Sequence, residues 1–518
     1  MTAGTSTVER EDTGTGRDGF GRLVSAEWTK FRTVRGWVIG MVLAAGVIVA
    51  LGLSPSLQGS CGKNGPDSAC SLPVGPGGQE VTDRSTFVHR PLAGDGGITV
   101  RVTSLTGLLP GPREGTRPGL VPWAKGGIII RDGTRQGSAY AAIMVTGAHG
   151  VRMQDDYTHD TAGPPGGVSV VSPRWLRLTR SGDKVTGYAS SDGTRWTRVG
   201  TARLAGLPQT VQAGPFATSP QYTQVINRPL ATGNFSGPSQ ATVALDNVTL
   251  QGAWPTATWT GAGIGTFSNA GPVERGGFQQ TADGFTVSGS GDIAPAVPGA
   301  AGLGTTITQT LVGTFAGLIA VVVVATMFIT AEYRRGLVRT TLIASPRRGR
   351  TLAAKAVVIA AVTFVTGLAG AAVVVGFGPG VLRANGVYVH ATTTFTEVRV
   401  VVGTAALLAV AAVLALALGT VLRRSATAAT AAIVVIVLPY LLSITGLPTG
   451  PAQWLLRITP ASAFAVQQST PRYPQVDNVY TPVNGYFPLP PWAGLAVLCA
   501  WTALALGLAV LLFRRRDA

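Results

Sequence analysis

Charge is scarce in this chain. Of 518 residues only 13% are Asp, Glu, Lys or Arg, against about 25% in an ordinary soluble domain. Acids are scarcer than bases, 24 against 41, which leaves a formal net charge of +17. Histidine occurs four times and cysteine three times. Cys61 and Cys70 lie close together with no His or Cys pair nearby, too few ligands for a zinc site. The phosphate-loop pattern G-x-x-x-x-G-K-[ST] does not occur, so this sequence supplies no ATPase of its own. Nor does the positive charge read as nucleic-acid binding, because no basic stripe with interleaved aromatics falls in a foldable soluble unit.

What is present is hydrocarbon, gathered into blocks. A spanning helix needs about 20 apolar residues, and six stretches qualify: 35–54, 307–330, 352–377, 400–422, 426–446 and 492–513. No Asp, Glu, Lys, Arg or His sits well inside any of them, where an ion-driven carrier needs a ligand for its coupling ion. The first run follows a long polar region and no A-x-A site trails it, so it reads as an uncleaved signal anchor. Gly367, Gly370, Gly376 and Gly403 mark spans three and four. Small residues let helices approach closely, either within the chain or along a dimer seam. Cys499, inside span six, reads as an inert packing residue.

The bases cluster at the ends of these runs. Segment 1–35 holds six and 331–355 holds seven; Arg423 and Arg424 separate spans four and five, and Arg514, Arg515 and Arg516 follow span six. Segments 377–399 and 446–491 hold four between them. Under strict alternation the rich segments share one side, which the positive-inside rule makes cytoplasmic. The reading is a multi-pass plasma-membrane protein with both termini cytoplasmic and residues 55–305 outside. Outside the cell, Cys61 and Cys70 in their Gly/Pro-rich loop suit a small disulfide.

Two cytoplasmic segments stand out. GRLVSAEWTKFRTVRGW (21–37) puts Val24, Trp28 and Phe31 on a narrow apolar-aromatic face, which predicts a basic amphipathic helix on the membrane surface. EYRRGLVRTTLIASPRRGRTLAAK (332–355) opens with an acid at the membrane exit, runs on Arg-rich and breaks at Pro346. By charge alone, both segments need only hold topology.

Taken together, these features resemble the permease subunit of a type-2 ABC transporter. Actinobacterial permeases of that kind commonly open with a stretch similar to RLVSAEWTKFRTVRGW. They also carry E-x-R-x-G-x-x-R-x-T-L-x-x-x-P-R-R after span two, which here reads Glu332, Arg334, Gly336, Arg339, Thr341, Leu342, Pro346, Arg347 and Arg348. The resemblance covers the first 55 residues and everything after about 305. It implies that 332–348 is a coupling helix docking into an ATPase subunit, with Glu332, Arg334, Arg335, Gly336, Arg339, Pro346, Arg347 and Arg348 at that contact. It implies that the pre-span helix lies at the same interface, through Glu27, Trp28, Lys30, Phe31 and Arg32. ATP and Mg would be bound by the partner subunit, a second permease copy would complete the membrane unit, and membrane lipid would surround it. The resemblance also implies an outer or re-entrant segment near 447–490, where WLLRITPASAFAVQQ is amphipathic around Pro460.

Between spans one and two the pattern is β. WLRLTR, VTGYAS and WTRV alternate apolar and polar residues and are separated by SGDK and SDGT turns, an antiparallel meander. Further strands are 97–105, 125–132, 139–147, 150–155, 211–218 and 242–250, and GFTVSGSGDI (284–293) is expected to pair back onto them. Many short strands with polar turns give a sandwich or jelly roll. DGGITVRVTSLTG, WAKGGIIIRDG, PRWLRLTRSGDKVTGYASSDGTRWTRVG and ATVALDNVTL resemble the concanavalin A-like lectin/glucanase sandwich. Sandwich glucanases carry their carboxylates as E-x-D-x-x-E. The glutamates of this region, Glu80, Glu114 and Glu274, form no such pattern, so no catalytic residue is assigned. QDDYTHD (154–160) reads as a solvated loop or a calcium site. Trp175 and Trp196 read either as core residues or as platforms for an extracellular glycan.

The expected fold is therefore an α-helical membrane protein with six transmembrane helices and a large extracellular all-β domain between helices 1 and 2. The boundaries are 1–34 for the N-terminus with its interface helix, 35–54 for helix 1, 55–305 for the β-sandwich, 306–331 for helix 2, 332–351 for the coupling segment and 352–518 for the rest. The expected function is the permease of an ATP-binding cassette exporter with a non-catalytic outer domain. The alternative is a membrane-anchored lectin-like receptor, for which six spans are excessive.

Overall fold

A computed structural model of the protein describes residues 19–58, 72–111, 115–228, 231–265, 271–299, 304–334, 348–445, 447, 449–477 and 480–515. Helix α1 (Phe20–Thr33) and helix α2 (Arg35–Leu53) are separated by Val34 alone, whose extended backbone (φ −89°, ψ 94°) redirects the chain. Helices α3 (Gly313–Arg334), α4 (Arg348–Ala384), α5 (Thr394–Leu422) and α6 (Ser425–Thr445) follow, then short α7 (Thr449–Ile458) and α8 (Pro491–Arg515). Among the described residues, six of these are long and apolar enough to cross a membrane: all but α1 and α7.

Span two begins at 313 rather than 307. Ile307–Thr310 forms a single turn, closed by the Thr306 side chain accepting from the Gln309 amide while Gln309 Oε1 accepts from the Thr306 N–H. Span three runs on to Ala384 with Pro379 inside its last turns. A proline removes a donor and usually marks a helix boundary, which is why the sequence window stops at 377.

Helix α5 is the centre of the bundle and packs on α3, α4, α6 and α8. Its glycine Gly403 has no room for a side chain, since an added Cβ would lie 2.2 Å from Val466 Cγ2. Gly367 faces Leu408 and Gly370 faces Ile48, so three of the four marked glycines serve packing within the chain; nothing lies within 4 Å of the Cβ position of Gly376. Cys499 is exposed, so it is not a packing residue.

Pro460–Gln467 is a 3₁₀ stretch with all eight residues buried, packed against α5 and α8. Non-α backbone inside a helix bundle requires internal polar partners. Gln467 Nε2 donates to Thr314 (3.1 Å) and Thr404 (3.2 Å), and Thr308 donates to the Gln467 carbonyl (2.7 Å). This buried 3₁₀ stretch lies within the 447–490 segment.

The N-terminal half holds a β-sandwich. The strands used below are β1 (Val81–Asp83), β2 (Ser85–Pro110), β3 (Lys125–Arg131), β4 (Tyr140–Thr146), β5 (Arg174–Ser181), β6 (Lys184–Ser190), β7 (Thr197–Arg203), β8 (Thr210–Thr218), β9 (Gln240–Ala253), β10 (Phe285–Gly289) and β11 (Ile293–Pro295). The main path runs β7-β6-β5-β2-β8-β3-β4, then Val151–Asp155 and His159–Ala162, antiparallel throughout. β9 lies along β2, and β10 returns onto β9 with Val243 opposite Val287, as the sequence indicates. Successive residues of a strand face opposite sides. Ile128 and Ile130 therefore enter the larger core with Val100, Leu176 and Val243, while Ile129 enters a second core with Phe87, Phe216 and Val81.

β1 and β11 pair antiparallel, Val81 opposite Pro295, and so bring together the chain arriving from α2 and the chain leaving toward α3. Two buried ion pairs fix this ribbon to β3. Arg131 donates to both oxygens of Asp83 (3.0 and 2.6 Å), and Lys125 donates to Asp292 (2.6 Å) and the Ile293 carbonyl (2.8 Å). Asp83 also accepts from the Gly137 N–H and the Tyr157 hydroxyl, so its carboxylate has four donors.

Candidate functional site

At one end of the bundle, four charged side chains meet from three helices. Glu27 on α1 is 3% exposed, and Lys355, about two turns into α4, is 2% exposed. The Lys355 ammonium donates to Glu27 Oε2 (2.6 Å) and to Glu332 Oε1 (2.7 Å), and lies 4.8 Å from the ring centroid of Phe328. Lys30, one turn beyond Glu27, donates to Glu27 Oε1 (2.8 Å) and to Glu332 Oε1 (3.1 Å). Burial alone would lower the Lys30 pKa; the two carboxylates outweigh it, and the net shift is upward. Two ammoniums and two carboxylates thus form a closed, charge-balanced clasp.

Apolar side chains surround the buried pair of Glu27 and Lys355, while Lys30 stays partly exposed. Phe31, Trp37 and Phe328 form an edge-on aromatic cluster, with centroid separations of 5.7 Å for Phe31–Phe328 and 5.1 Å for Trp37–Phe328. α1 presents Val24, Glu27 and Phe31 to the bundle at helical spacing, while Trp28 is 46% exposed. The inward face is thus not the Val24–Trp28–Phe31 stripe read from sequence. Glu27 takes the central place, and Trp28 points away together with exposed Arg32. Arg423, in the left-handed region at φ +57°, sets its guanidinium 5.4 Å from the Tyr333 ring centroid, which ties the α5–α6 turn to the exit of α3.

Of the residues expected at the coupling segment, Glu332 is in the clasp. Arg335, Gly336, Arg339, Pro346 and Arg347 lie outside the described residues, and Arg334 and Arg348 are described only as the ends of α3 and α4. Cys61 and Cys70 also lie outside the described residues. In the sequence, Lys355 reads only as a topology charge. The available signal was an ammonium set inside an apolar run, TLAAKAVVIAA.

A second polar junction joins the opposite end of the bundle to the β domain. Glu80 accepts from the Ala391 N–H (3.1 Å) and pairs with His390 Nδ1 (3.1 Å). Burial pushes the Glu80 carboxyl upward, but His390, Tyr388 and the Ala391 amide outweigh this and hold it below the usual range. Asp477 Oδ2 accepts from the Trp123 N–H (3.2 Å), and Gln475 donates to the Thr158 carbonyl (3.0 Å). Burial raises the Asp477 carboxyl to about 6, with Asp292 adding to it while the Trp123 amide and Lys125 oppose it.

Trp175 on β5 and Trp196, just before β7, are both partly exposed and neither belongs to a core. The Arg101 guanidinium lies 5.8 Å from the Trp175 centroid and that of Arg177 lies 3.9 Å from the Trp196 centroid. In QDDYTHD, Asp155 pairs with His159, Asp156 accepts from the Tyr140 N–H and Asp160 pairs with Arg152. Each carboxylate of this segment has a partner, while the His159 side chain stays 69% exposed. Among the described residues no group of three or more metal-ligating side chains is assembled.

The family described as ABC-2 family transporter protein matches residues 181–518, from the end of β5 through the last span. The chain belongs to this family. It is accordingly a multi-pass membrane component of an ABC transporter, and membership implies partnership with an ABC ATPase subunit. No curated protein matches the chain. Among solved structures, a functionally unknown protein from Saccharomyces cerevisiae is 18% identical, covering 33% of this chain and 76% of its own, with a TM-score of 0.21. The GH43 protein BlXynB from Bacillus licheniformis is 15% identical, covering 24% of each chain, with a TM-score of 0.17. Scytalido-glutamic peptidase with a transition-state analog inhibitor is 7% identical, covering 40% of this chain and 98% of its own, with a TM-score of 0.24. Scores this low decide neither fold nor chemistry.

Proposed function

We propose that this chain is the permease subunit of an ATP-driven exporter, powered by a separate ATPase that docks on the clasp end of the bundle. The observation that carries the reading is the clasp. It fastens α1 to the last turn of α3 and the first turns of α4, the two helices that flank 335–347. A push on that segment therefore moves α1, α3 and α4 as one body. The positive-inside rule makes this end cytoplasmic, since the Arg/Lys-rich segments gather there. The β domain is then extracellular, a concanavalin A-like module that acts as a non-catalytic gate or binding platform. Trp175 and Trp196 give it an aromatic face on which a sugar ring can stack. A second permease copy completes the membrane unit, with exposed Gly376 available at its seam.

The test is co-purification. A tagged chain, extracted gently from its native membrane, is expected to bring down a stoichiometric polypeptide carrying a phosphate loop. Charge reversal at Arg334, Arg335 and Arg339 is expected to release that polypeptide while membrane insertion persists. Retention of the ATPase by the reversed variant would remove the docking role from 332–348.

A further inference from the structure

Away from the clasp, at the β-domain end of the bundle, a cavity of about 480 Å³ lies between the end of α6, α7 and the chain leading into α8. Its volume falls within the roughly 300–1,000 Å³ usual for small-molecule sites. Ile444, Leu447 and Leu456 give it an apolar wall, and Arg457 and Arg472 bring two guanidiniums to it. The described residues lining it include no Asp or Glu. Arg472 stacks over Tyr480, 4.6 Å from the ring centroid, and the Tyr480 hydroxyl donates to the Tyr473 carbonyl (2.6 Å). The cation is therefore held in place without a neutralising carboxylate.

The level of this cavity is set by its neighbours. Gln475 and Asp477, just past Arg472, bond to the β domain. Trp454 on α7 and Trp492 at the start of α8 are 64% and 53% exposed. Exposed tryptophans are enriched at membrane–water boundaries. A site at that boundary with an apolar wall and two uncompensated cations matches a molecule with an acyl chain and an anionic head.

We infer that this cavity binds one anionic phospholipid from the leaflet on the β-domain side. Its phosphate rests on Arg457 and Arg472, and a chain lies along Leu447 and Leu456. Arginine suits this task because its planar fork meets phosphate oxygens two at a time. The inference is independent of how the ATPase docks, and its failure would leave the permease reading intact.

The experiment is native mass spectrometry of the full chain, delipidated in neutral detergent and titrated with dioleoylphosphatidylglycerol, dioleoylphosphatidylcholine or glycerol phosphate. One phosphatidylglycerol is expected to stay bound at least about 10-fold more tightly than phosphatidylcholine, a difference of the size expected from charge-assisted pairing. R457Q/R472Q is expected to erase that preference, while R424Q, at the other end of the bundle, leaves it in place. Both arginines of the double variant are exposed, and an unchanged melting temperature confirms that its fold persists. Equal retention of the two lipids, or an unchanged preference in R457Q/R472Q, overturns the inference. Competition by glycerol phosphate at the same concentration as the lipid also overturns it, by making this a site for a soluble anion.

Discussion

Lys355 is the residue on which the clasp turns. It is almost wholly buried, and both carboxylates depend on it. Removing one partner of a buried pair leaves an uncompensated charge, so K355A is expected to destabilise the protein by about 3–5 kcal/mol, read as a lowered melting temperature. Replacing both members of the deepest pair, as in E27L/K355M, leaves Lys30 facing Glu332. That variant is expected to melt near the parent temperature yet lose permease-dependent stimulation of the ATPase. Full stimulation in that variant would reduce the clasp to a stability element. Asp477 carries a pH dependence of its own. Its folded pKa of about 6 lies above its ordinary 3.8. The folded state therefore binds more protons than the unfolded state between those values, and stability falls as pH rises through this window. The protein is expected to melt at a higher temperature at pH 5 than at pH 7, and D477N is expected to abolish the part of that difference due to Asp477. Glu80, shifted the other way, weakens its contact only at lower pH, as it is protonated. These side chains show where the sequence stops being legible. Glu27 and Lys355 are 328 positions apart, and Lys125 and Asp292 are 167 apart. Each pair reads locally as ordinary charges, and only the fold brings them together.

The elements were more legible because their signal is periodic. All six spans follow from length and hydropathy, and the meander β5–β6–β7 from strict alternation and its Gly-containing turns. β2 was seen only from 97 to 105, whereas it runs from Ser85 to Pro110. Its first part, STFVHRPLAGDG, contains a proline and glycines that break the alternation, yet Phe87, Val88 and Leu92 are buried. The sequence pattern gives α1 as a helix but with its inward face rotated, because an aromatic residue looks more suited to burial than a glutamate. That choice inverts once an ammonium from another helix is available. At this scale the tight contact of Gly403 with Val466 is decisive. G403A overpacks the α5 contact with the 3₁₀ segment and is expected to cost about 1–3 kcal/mol. G376A meets nothing within this chain, so it is expected to leave monomer stability unchanged within about 0.5 kcal/mol. A loss at Gly376 matching that at Gly403 would contradict the packing described.

On the scale of the whole molecule, the helix bundle is braced at both ends. The clasp joins α1, α3 and α4 at one end. At the other, the β1–β11 ribbon gathers the chains from α2 and to α3 and is pinned to the sandwich through Arg131–Asp83 and Lys125–Asp292. The β domain also bonds directly to the bundle half through Glu80 with His390 and Ala391, and through Trp123 with Asp477. In the permease proposed above, force from a separate ATPase enters at the clasp. The most direct measurement is ATPase activity of the co-purified complex in lipid nanodiscs, parent chain against E27L/K355M at equal occupancy of the ATPase subunit. The variant complex is expected to assemble and melt normally while its ATP turnover no longer depends on the permease. Turnover equal to that of the parent complex would contradict it.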